Sequence, residues 1–379
     1  MKIIYCLAST CNPGGMEKIV IQKANWLANK GHDVTIVTTE QKKRENYFNM
    51  DSRINRIDLD INYSDAIGSN IIRRLFYRKR KIKEHREALD NTLKRECPDI
   101  VISTFGNEVY FLPKIARKVK TVLEIHFSRW FRLQANVGFL HHLANRILTR
   151  KDFNLVKKFD AFVCLTKEDE TNWGEIVNLH VIPNFTDIIP LEKQLHSKRA
   201  IAIGRLTYQK GYDRMVRAWK IIADRFPDWH LDIFGDGEEK DSLQKLIGEL
   251  KLNESIHLNS PTKDINKELA KSDILLLTSH FEGLPMVLLE ALRCGVPLIS
   301  FDCQCGPKDV INNSNGILVR DGDIHSFALA LSTLMENDNQ LGCLSNGAYE
   351  SGKFYTPDTI MSLWETLFNN LRSNENHIN

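Results

Sequence analysis

Short apolar runs alternate with longer stretches of helical spacing along almost the whole chain. In the first half, residues 3–8, 34–38, 100–103, 122–125 and 162–165 read as buried strands. Residues 16–29 place apolar side chains on one helical face, and Gly31 stands just beyond them, where a C-terminal cap belongs. A second series starts at Ala200, with strands expected near 200–204, 231–234, 255–258, 274–278, 297–300 and 316–319. Repeated strand-helix units imply parallel sheets covered on both faces. The fold class is therefore α/β, with two Rossmann-like lobes and a cleft between them. Residues 187–198, with Pro190 and mixed charge, read as a linker, so the lobes are expected at 1–185 and 186–355. A last helix is expected over 356–371, ahead of a polar tail from Ser373 to Asn379.

Length and charge refine this picture. A chain of 379 residues is long enough for two or three domains with sizeable cores. The net charge of +3 hides an asymmetry: 31 Lys and Arg stand against 21 Asp and Glu through Phe185, and 20 against 27 after it. A basic first half suggests an anionic partner there. The eight cysteines are scattered without a C-x-x-C pair, which indicates a reducing compartment. Residues 1–10 are apolar but short, and read as a first strand and not a secretion signal. No run approaches the roughly 20 apolar residues that span a bilayer. A cytoplasmic location is the expectation.

Two stretches carry candidate chemistry. Residues 279–292 read S-H-F-E-G-L-P-M-V-L-L-E-A-L and follow the apolar run 274–277. Pro285 suits a first helical position, because its missing N–H would be an orphan there. Glu282 thus falls on the loop between a strand's carboxyl end and a helix, and Glu290 about two turns into that helix. Ligands of open α/β sheets bind at this edge. The N–H groups from Gly283 and Leu284 onward would attract a diphosphate, whereas Glu282 suits the hydroxyls of a sugar. Two solvated acids are the plain alternative. Residues 201–211 read I-A-I-G-R-L-T-Y-Q-K-G, so Arg205 and Lys210 flank a polar loop after another strand. A planar fork and a point charge suit a diphosphate. Ordinary surface cations are the plain alternative.

G-R-L-x-x-Q-K-G followed by E-G-L-P-x-x-x-x-E resembles the donor site of the family 4 glycosyltransferases, retaining, nucleotide-sugar-dependent enzymes of the GT-B fold. The resemblance extends to P-G-G-M-E-K at Pro13, E-I-H-F at Glu124, V-I-P-N at Val181, I-F-G-D-G at Ile233 and C-G-P at Cys305. It implies two lobes facing across a cleft, with the C-terminal helix, placed within 356–379, returning to the first lobe. It also implies a nucleotide-sugar donor, expected to be UDP-linked, and no metal or other cofactor. Arg205 and Lys210 would neutralise the departing diphosphate, Glu290 would hold ribose hydroxyls and Glu282 those of the donor sugar. His126, after the strand at 122–125, would sit near the anomeric carbon, and the Gly14–Gly15 turn would contact the donor. From the residues alone a lone histidine is more often structural, but the place of His126 at a strand's carboxyl end favours a functional role, and Asn12 to Gly15 suit a phosphate-binding helix start and a simple turn equally.

The other signals are weaker. Arg73, Arg74, Arg78, Lys79, Arg80, Lys81 and Lys83 form a basic cluster with interleaved Ile71, Ile72, Leu75, Phe76, Tyr77 and Ile82. It reads as a surface helix suited to an anionic membrane, with a solvated face as the alternative and nucleic acid excluded for want of a motif. Arg129-Trp130-Phe131-Arg132 with residues 139–143 is a second membrane candidate. Asp58-Leu59-Asp60 matches a metal-binding D-x-D by chance, and Gly235-Asp236-Gly237 lacks the third glycine of a dinucleotide motif. The functional expectation is transfer of a hexose or N-acetylhexosamine to a lipid-linked saccharide acceptor in cell-surface polysaccharide assembly, at the inner face of the membrane. A non-catalytic sugar-nucleotide or polysaccharide-binding protein, and a GT-B epimerase, stay open as alternatives.

Overall fold

The computed structural model describes residues 1–66, 71–134, 139–193 and 196–373. The tail beyond Ser373 lies outside the described residues. The chain divides into two units. One comprises Met1–Leu165, Asp169–Ile182 and the described residues from Met361; the other comprises Thr166–Glu168 and Pro183–Ile360.

The first unit is built on strands β1 (Lys2–Leu7), β2 (Asp33–Thr38), β3 (Asn55–Asp58), β4 (Ile100–Ser103), β5 (Lys120–Glu124), β6 (Ala161–Cys164) and β7 (Leu179–Val181). They form one sheet in the order β3-β2-β1-β4-β5-β6-β7, with every pairing parallel. Ile3, Ile4, Ile100, Val101, Val122 and Leu123 are fully buried, as the continuous apolar runs of a doubly covered sheet require. Edge strands β3 and β7 escape the sequence pattern. Asn55-Arg56-Ile57-Asp58 is largely exposed and polar, and β7 has three residues, so neither shows an apolar run. The chain leaves β1 towards β2 and returns to β4 on β1's other side, so the order reverses between β1 and β4.

The second unit contains β8 (Arg199–Ile203), β9 (His230–Phe234), β10 (Ile256–Asn259), β11 (Ile274–Leu277), β12 (Leu298–Asp302) and β13 (Gly316–Arg320). Their order is β10-β9-β8-β11-β12-β13, again all parallel, and it reverses between β8 and β11. Each lies within two residues of its expected position. Trp219, Ile233, Leu276, Phe301 and Phe327 pack in one core around this sheet. Each such side chain contributes roughly 1.5–3 kcal/mol through burial.

The last helix runs Pro357–Ser373, and from Met361 on it belongs to the first unit. Its fully buried Trp364 lies over the Lys23 ammonium, 4.4 Å from ring centroid to Nζ. Among the described residues no helix is long and apolar enough to cross a membrane.

Candidate active site

In an open parallel sheet, ligands bind beyond the carboxyl ends of the strands where the order reverses. In the second unit that point is flanked by the loops leaving β8 and β11. The first holds Arg205 and Lys210, the second Glu282. The two loops are stitched together. The amide of His280 donates to the Gln209 carbonyl (2.8 Å), Gln209 Nε2 donates to the Phe281 carbonyl (3.1 Å), and the rings of Tyr208 and His280 stack at 4.3 Å. Gly211 is left-handed (φ 58°), and a Cβ there would stand 2.4 Å from the Thr278 carbonyl oxygen. Glycine therefore serves both backbone conformation and close approach. The buried guanidinium of Arg214 donates to the same carbonyl through Nε (3.1 Å) and to Asp321 Oδ1 through Nη1 (2.8 Å), which locks the start of the Tyr212–Ile222 helix to the end of β11.

Lys210 Nζ lies 2.6 Å from Glu282 Oε1, and the same oxygen accepts from Ser279 Oγ at 2.6 Å. Glu282 is buried, whereas Lys210 retains a solvent-facing fraction and Arg205 is exposed. Charge-assisted bonds of this length are the strong ones and hold the lysine in place before any ligand arrives. Burial, and then the Glu282 carboxylate, push the Tyr212 phenol and the Cys303 thiol well above their ordinary values, so both stay neutral beside it.

The helix after this loop runs Met286–Arg293 with Pro285 as its N-cap, one position earlier than expected. Glu290, four residues after Met286, stands little more than one turn in and not the two turns expected, and is buried. Burial and the Glu290 carboxylate raise the neighbouring Cys294 thiol to about 12. The Gly283–Pro285 turn packs on Gly306, whose φ is 103° and where a Cβ would come within 2.6 Å of Pro285 Cδ. Gly235 and Gly237 have a packing reason as well. Cβ atoms there would come within 2.0 Å of the Gly204 carbonyl oxygen and 2.3 Å of the Leu206 carbonyl oxygen.

In the first unit, Gly14 is the extended N-cap of the Gly15–Asn29 helix, and a Cβ on Gly15 would meet nothing. Glu17 in the first turn folds back over Gly14, within 3.4 Å of Asn12 Nδ2, and sets a carboxylate at this helix start. His126 follows β5, and its side chain is nearly buried. Its Nε2 stands 3.1 Å from Glu124 Oε1, within ion-pair distance but out of hydrogen-bond alignment, so neither ring nitrogen has a hydrogen-bond partner among the described residues. The same Glu124 oxygen pairs with Lys23 Nζ, and both side chains are fully buried. Burial alone would raise the Glu124 carboxyl, but Lys23 and His126 outweigh it and hold it well below the usual carboxylate range. Burial draws the Lys23 ammonium below its ordinary value in spite of Glu124.

Sequence reasoning missed Lys23, Ser279, Arg214 and Glu108. Glu108 is buried after β4 and accepts from Ser103 Oγ (2.6 Å) and the Gly106 amide (3.1 Å), and burial raises its carboxyl. The second basic stretch has its two cations engaged by neighbouring side chains. Arg129 is enclosed by the rings of Trp130, Phe153 and Trp173 at 4.7–5.4 Å, and Arg132 pairs with Asp152 at 2.8 Å, so both are spent inside the fold. The Ile71–Glu96 helix does present Arg73, Arg74, Arg78, Lys79 and Arg80 to solvent beside exposed Leu75 and Phe76.

Two Rossmann-like units, one carrying a cationic loop and a paired carboxylate at its switch point, are those of a GT-B sugar-transferring enzyme. A TarM variant from S. aureus, bound to Fondaparinux, α-GlcNAc-glycerol and UDP, has the same fold. It superposes with a TM-score of 0.75 at 16% identity over 97% of this chain and 99% of that one. The model for Glycosyltransferase Family 4 matches residues 13–188, and that for Glycosyl transferases group 1 matches residues 186–351. The chain belongs to the family 4 glycosyltransferases. It is 26% identical to the amylovoran biosynthesis glycosyltransferase AmsD of Erwinia amylovora over 97% of this chain and 99% of that one. It is 29% identical to the lipopolysaccharide 1,6-galactosyltransferase of Escherichia coli K12 over 88% of each.

Proposed function

We propose that this glycosyltransferase moves a hexose or N-acetylhexosamine from a UDP-sugar, with retention and without a metal, to a saccharide acceptor in cell-surface polysaccharide assembly. The observation that carries the reading is the Lys210–Glu282 pair between the loops of β8 and β11. Lys210 and exposed Arg205 neutralise the departing diphosphate, the charge that grows most in the transition state. The head of the Met286–Arg293 helix, with Gly283 and Leu284, adds backbone donors. Glu282 orients the donor sugar through the oxygen not taken by Lys210 and Ser279, and Glu290 takes the ribose. The retained anomeric configuration follows if the acceptor hydroxyl attacks from the leaving-group side and the diphosphate takes its proton. Gly14, Gly15 and His126 are assigned to donor contact and to orientation of the reacting groups. The UDP in the TarM complex and the polysaccharide pathways in the relatives' names support the donor and acceptor classes.

The acceptor is lipid-linked in this reading, and the enzyme works peripherally on the inner membrane face. Exposed Leu75 and Phe76 among five exposed cations support it. The test is a screen of UDP-sugars with membrane extract from the source cells as acceptor, read by mass spectrometry, with and without excess EDTA. Transfer that survives EDTA and retains configuration is the expected result. Absence of transfer from every UDP-sugar refutes the donor class, and loss on chelation that manganese restores refutes metal independence.

A further inference from the structure

Alongside β2 and β3, towards their carboxyl ends and the loop after β1, the first unit contains a cavity of about 350 Å³. This lies within the size range of small-ligand pockets. Ile36 and Thr38 of β2, Arg56 and Asp58 of β3 and Thr10 after β1 line it, together with the loop at 41–46. The loop is pinned in place. Thr10 donates to Gln41 Oε1 from its amide (2.9 Å) and to Asn46 Oδ1 from its hydroxyl (2.6 Å), and the Tyr47 amide donates to the Thr10 carbonyl (2.9 Å). The pocket is therefore preformed. Lys42 and Lys43 are consecutive residues in the left-handed region, at φ 53° and 58°. Non-glycine residues are strained there, and such strain persists only where the surroundings impose it.

The charges on this rim are sorted. Lys42 is paired with Asp65 at 2.6 Å, and the Arg44 guanidinium donates to the carbonyls of Glu40 (2.8 Å) and Gln41 (3.2 Å). Among the described residues, the side chains of Lys43 and Arg56 have neither an ion pair nor a hydrogen bond. Asp58 Oδ1 accepts from the Thr38 hydroxyl at 3.0 Å. The pocket thus offers two uncommitted cations, Lys43 and Arg56, beside two carboxylates, the fixed Asp58 and the exposed Glu45, and the Asn46 amide, groups that accept from and donate to hydroxyls.

We propose that this pocket is a subsite for an acidic sugar residue of the acceptor chain, one that bears a carboxylate or a phosphate substituent. Lys43 and Arg56 take the anionic group, and Asp58 and Asn46 take ring hydroxyls. The proposal rests on the reading of the first unit as the acceptor-binding one. Neighbouring strands stand about 4.8 Å apart, and three strand steps separate β2 from β5, so the pocket lies roughly 14 Å along the sheet from the strand that leads to His126. The sugar it holds is consequently not the one that is glycosylated but one farther along the acceptor. Asp58, whose D-x-D setting suggested a spurious metal ligand, gains a role as a hydroxyl acceptor.

The test is a ligand-observed NMR titration of the full chain with methyl α-glucuronide, methyl α-glucoside and inorganic phosphate, repeated on the Lys43→Gln/Arg56→Gln double variant. The glucuronide is expected to bind at least about tenfold more tightly than the glucoside, since charge-assisted bonds are about twice as strong as neutral ones. The double variant is expected to lose that preference. Equal binding of glucuronide and glucoside, or an unchanged preference in the variant, overturns the proposal. So does phosphate binding as tight as the glucuronide's, because the sugar would then contribute nothing. A parallel titration with UDP, which reports on the second unit, should be the same in both proteins, and unchanged amide hydrogen exchange in β1 and β4 shows that the first unit of the variant is folded. Failure of the native chain to bind UDP would count against the donor reading alone, with the glucuronide arm still deciding the pocket.

Discussion

Replacing Lys23 with methionine isolates the buried charge pair beneath His126. Lys23 and Glu124 are both fully buried, and Trp364 closes over the ammonium. Lys23→Met keeps the volume but leaves Glu124 in the core with, among the described residues, only His126 within ion-pair reach. Breaking one side of such a pair typically costs about 3–5 kcal/mol, whereas replacing both partners by apolar groups is often neutral or stabilising. Lys23→Met/Glu124→Leu should therefore recover most of what the single change loses. Unfolding of a two-unit chain is not expected to be two-state, so amide hydrogen exchange by mass spectrometry, read on peptides from β1, β4 and β5, is the suitable assay. Exchange there should accelerate on the order of a hundredfold to several thousandfold in the single variant, and return towards the native rate in the double. Peptides from β8 and β11 should not change. Acid supplies an independent check on sign. The Glu124 carboxyl is held below its ordinary value of 4.5, so its contribution is full above that pH and fades as pH falls below it. Protection of these strands should decline below about pH 4.5 in the native protein, and this contribution should vanish in the double variant. Unaltered exchange in Lys23→Met, or a double variant that exchanges as fast as the sum of both losses, would refute the pairing.

Three further outcomes test the proposed roles. Lys210→Ala and Arg205→Ala should each lower turnover about 100-fold or more while circular dichroism stays native, and near-native turnover in either would remove it from the diphosphate. Glu282→Ala should damage transfer more than UDP affinity, and Glu290→Ala should weaken UDP binding, so equal affinity losses by calorimetry would contradict the division. Changing Leu75 and Phe76 to Ser, or Arg78, Lys79, Arg80 and Lys81 to Gln, should reduce co-sedimentation with anionic liposomes, since each nearby cation contributes about 1 kcal/mol. Equal binding to neutral and anionic vesicles would return this helix to a solvated face. The charge change should have the smaller effect per residue at Arg80 and Lys81, which already pair with Glu84 at 3.2 and 3.0 Å.

What could be read in the chain beforehand follows from where apolar periodicity is strong. Strands buried on both faces, such as 274–277, are continuous apolar runs and identify themselves. Edge strands lack that constraint, and of Asn55–Asp58 only Asp58 enters the sequence reading, as one end of the D-x-D match. The donor-side residues were legible because Gly and Pro mark the loops that carry them, and loops at strand ends are where chemistry collects. The Lys210–Glu282 pair was not legible as a pair. Each residue seemed to face a ligand, and only the backbone links between the two loops bring them to 2.6 Å. Lys23 and its pairing with Glu124 escape the sequence reading for a different reason, and here the signal existed. Lys23 stands four residues from both Ile19 and Leu27, on the buried stripe of its helix, and Glu124 interrupts a buried strand between Leu123 and Ile125. A charge at a core position is costly unless it is paired and hydrogen-bonded. One cation and one anion, each misplaced by its own local pattern, are therefore each other's most economical partner. Matching such misfits across a sequence amounts to a contact prediction with a physical basis. In this chain it would have tied the first helix to the strand that ends at His126, and so shown that the histidine stands on a rigid charged foundation rather than on a free loop.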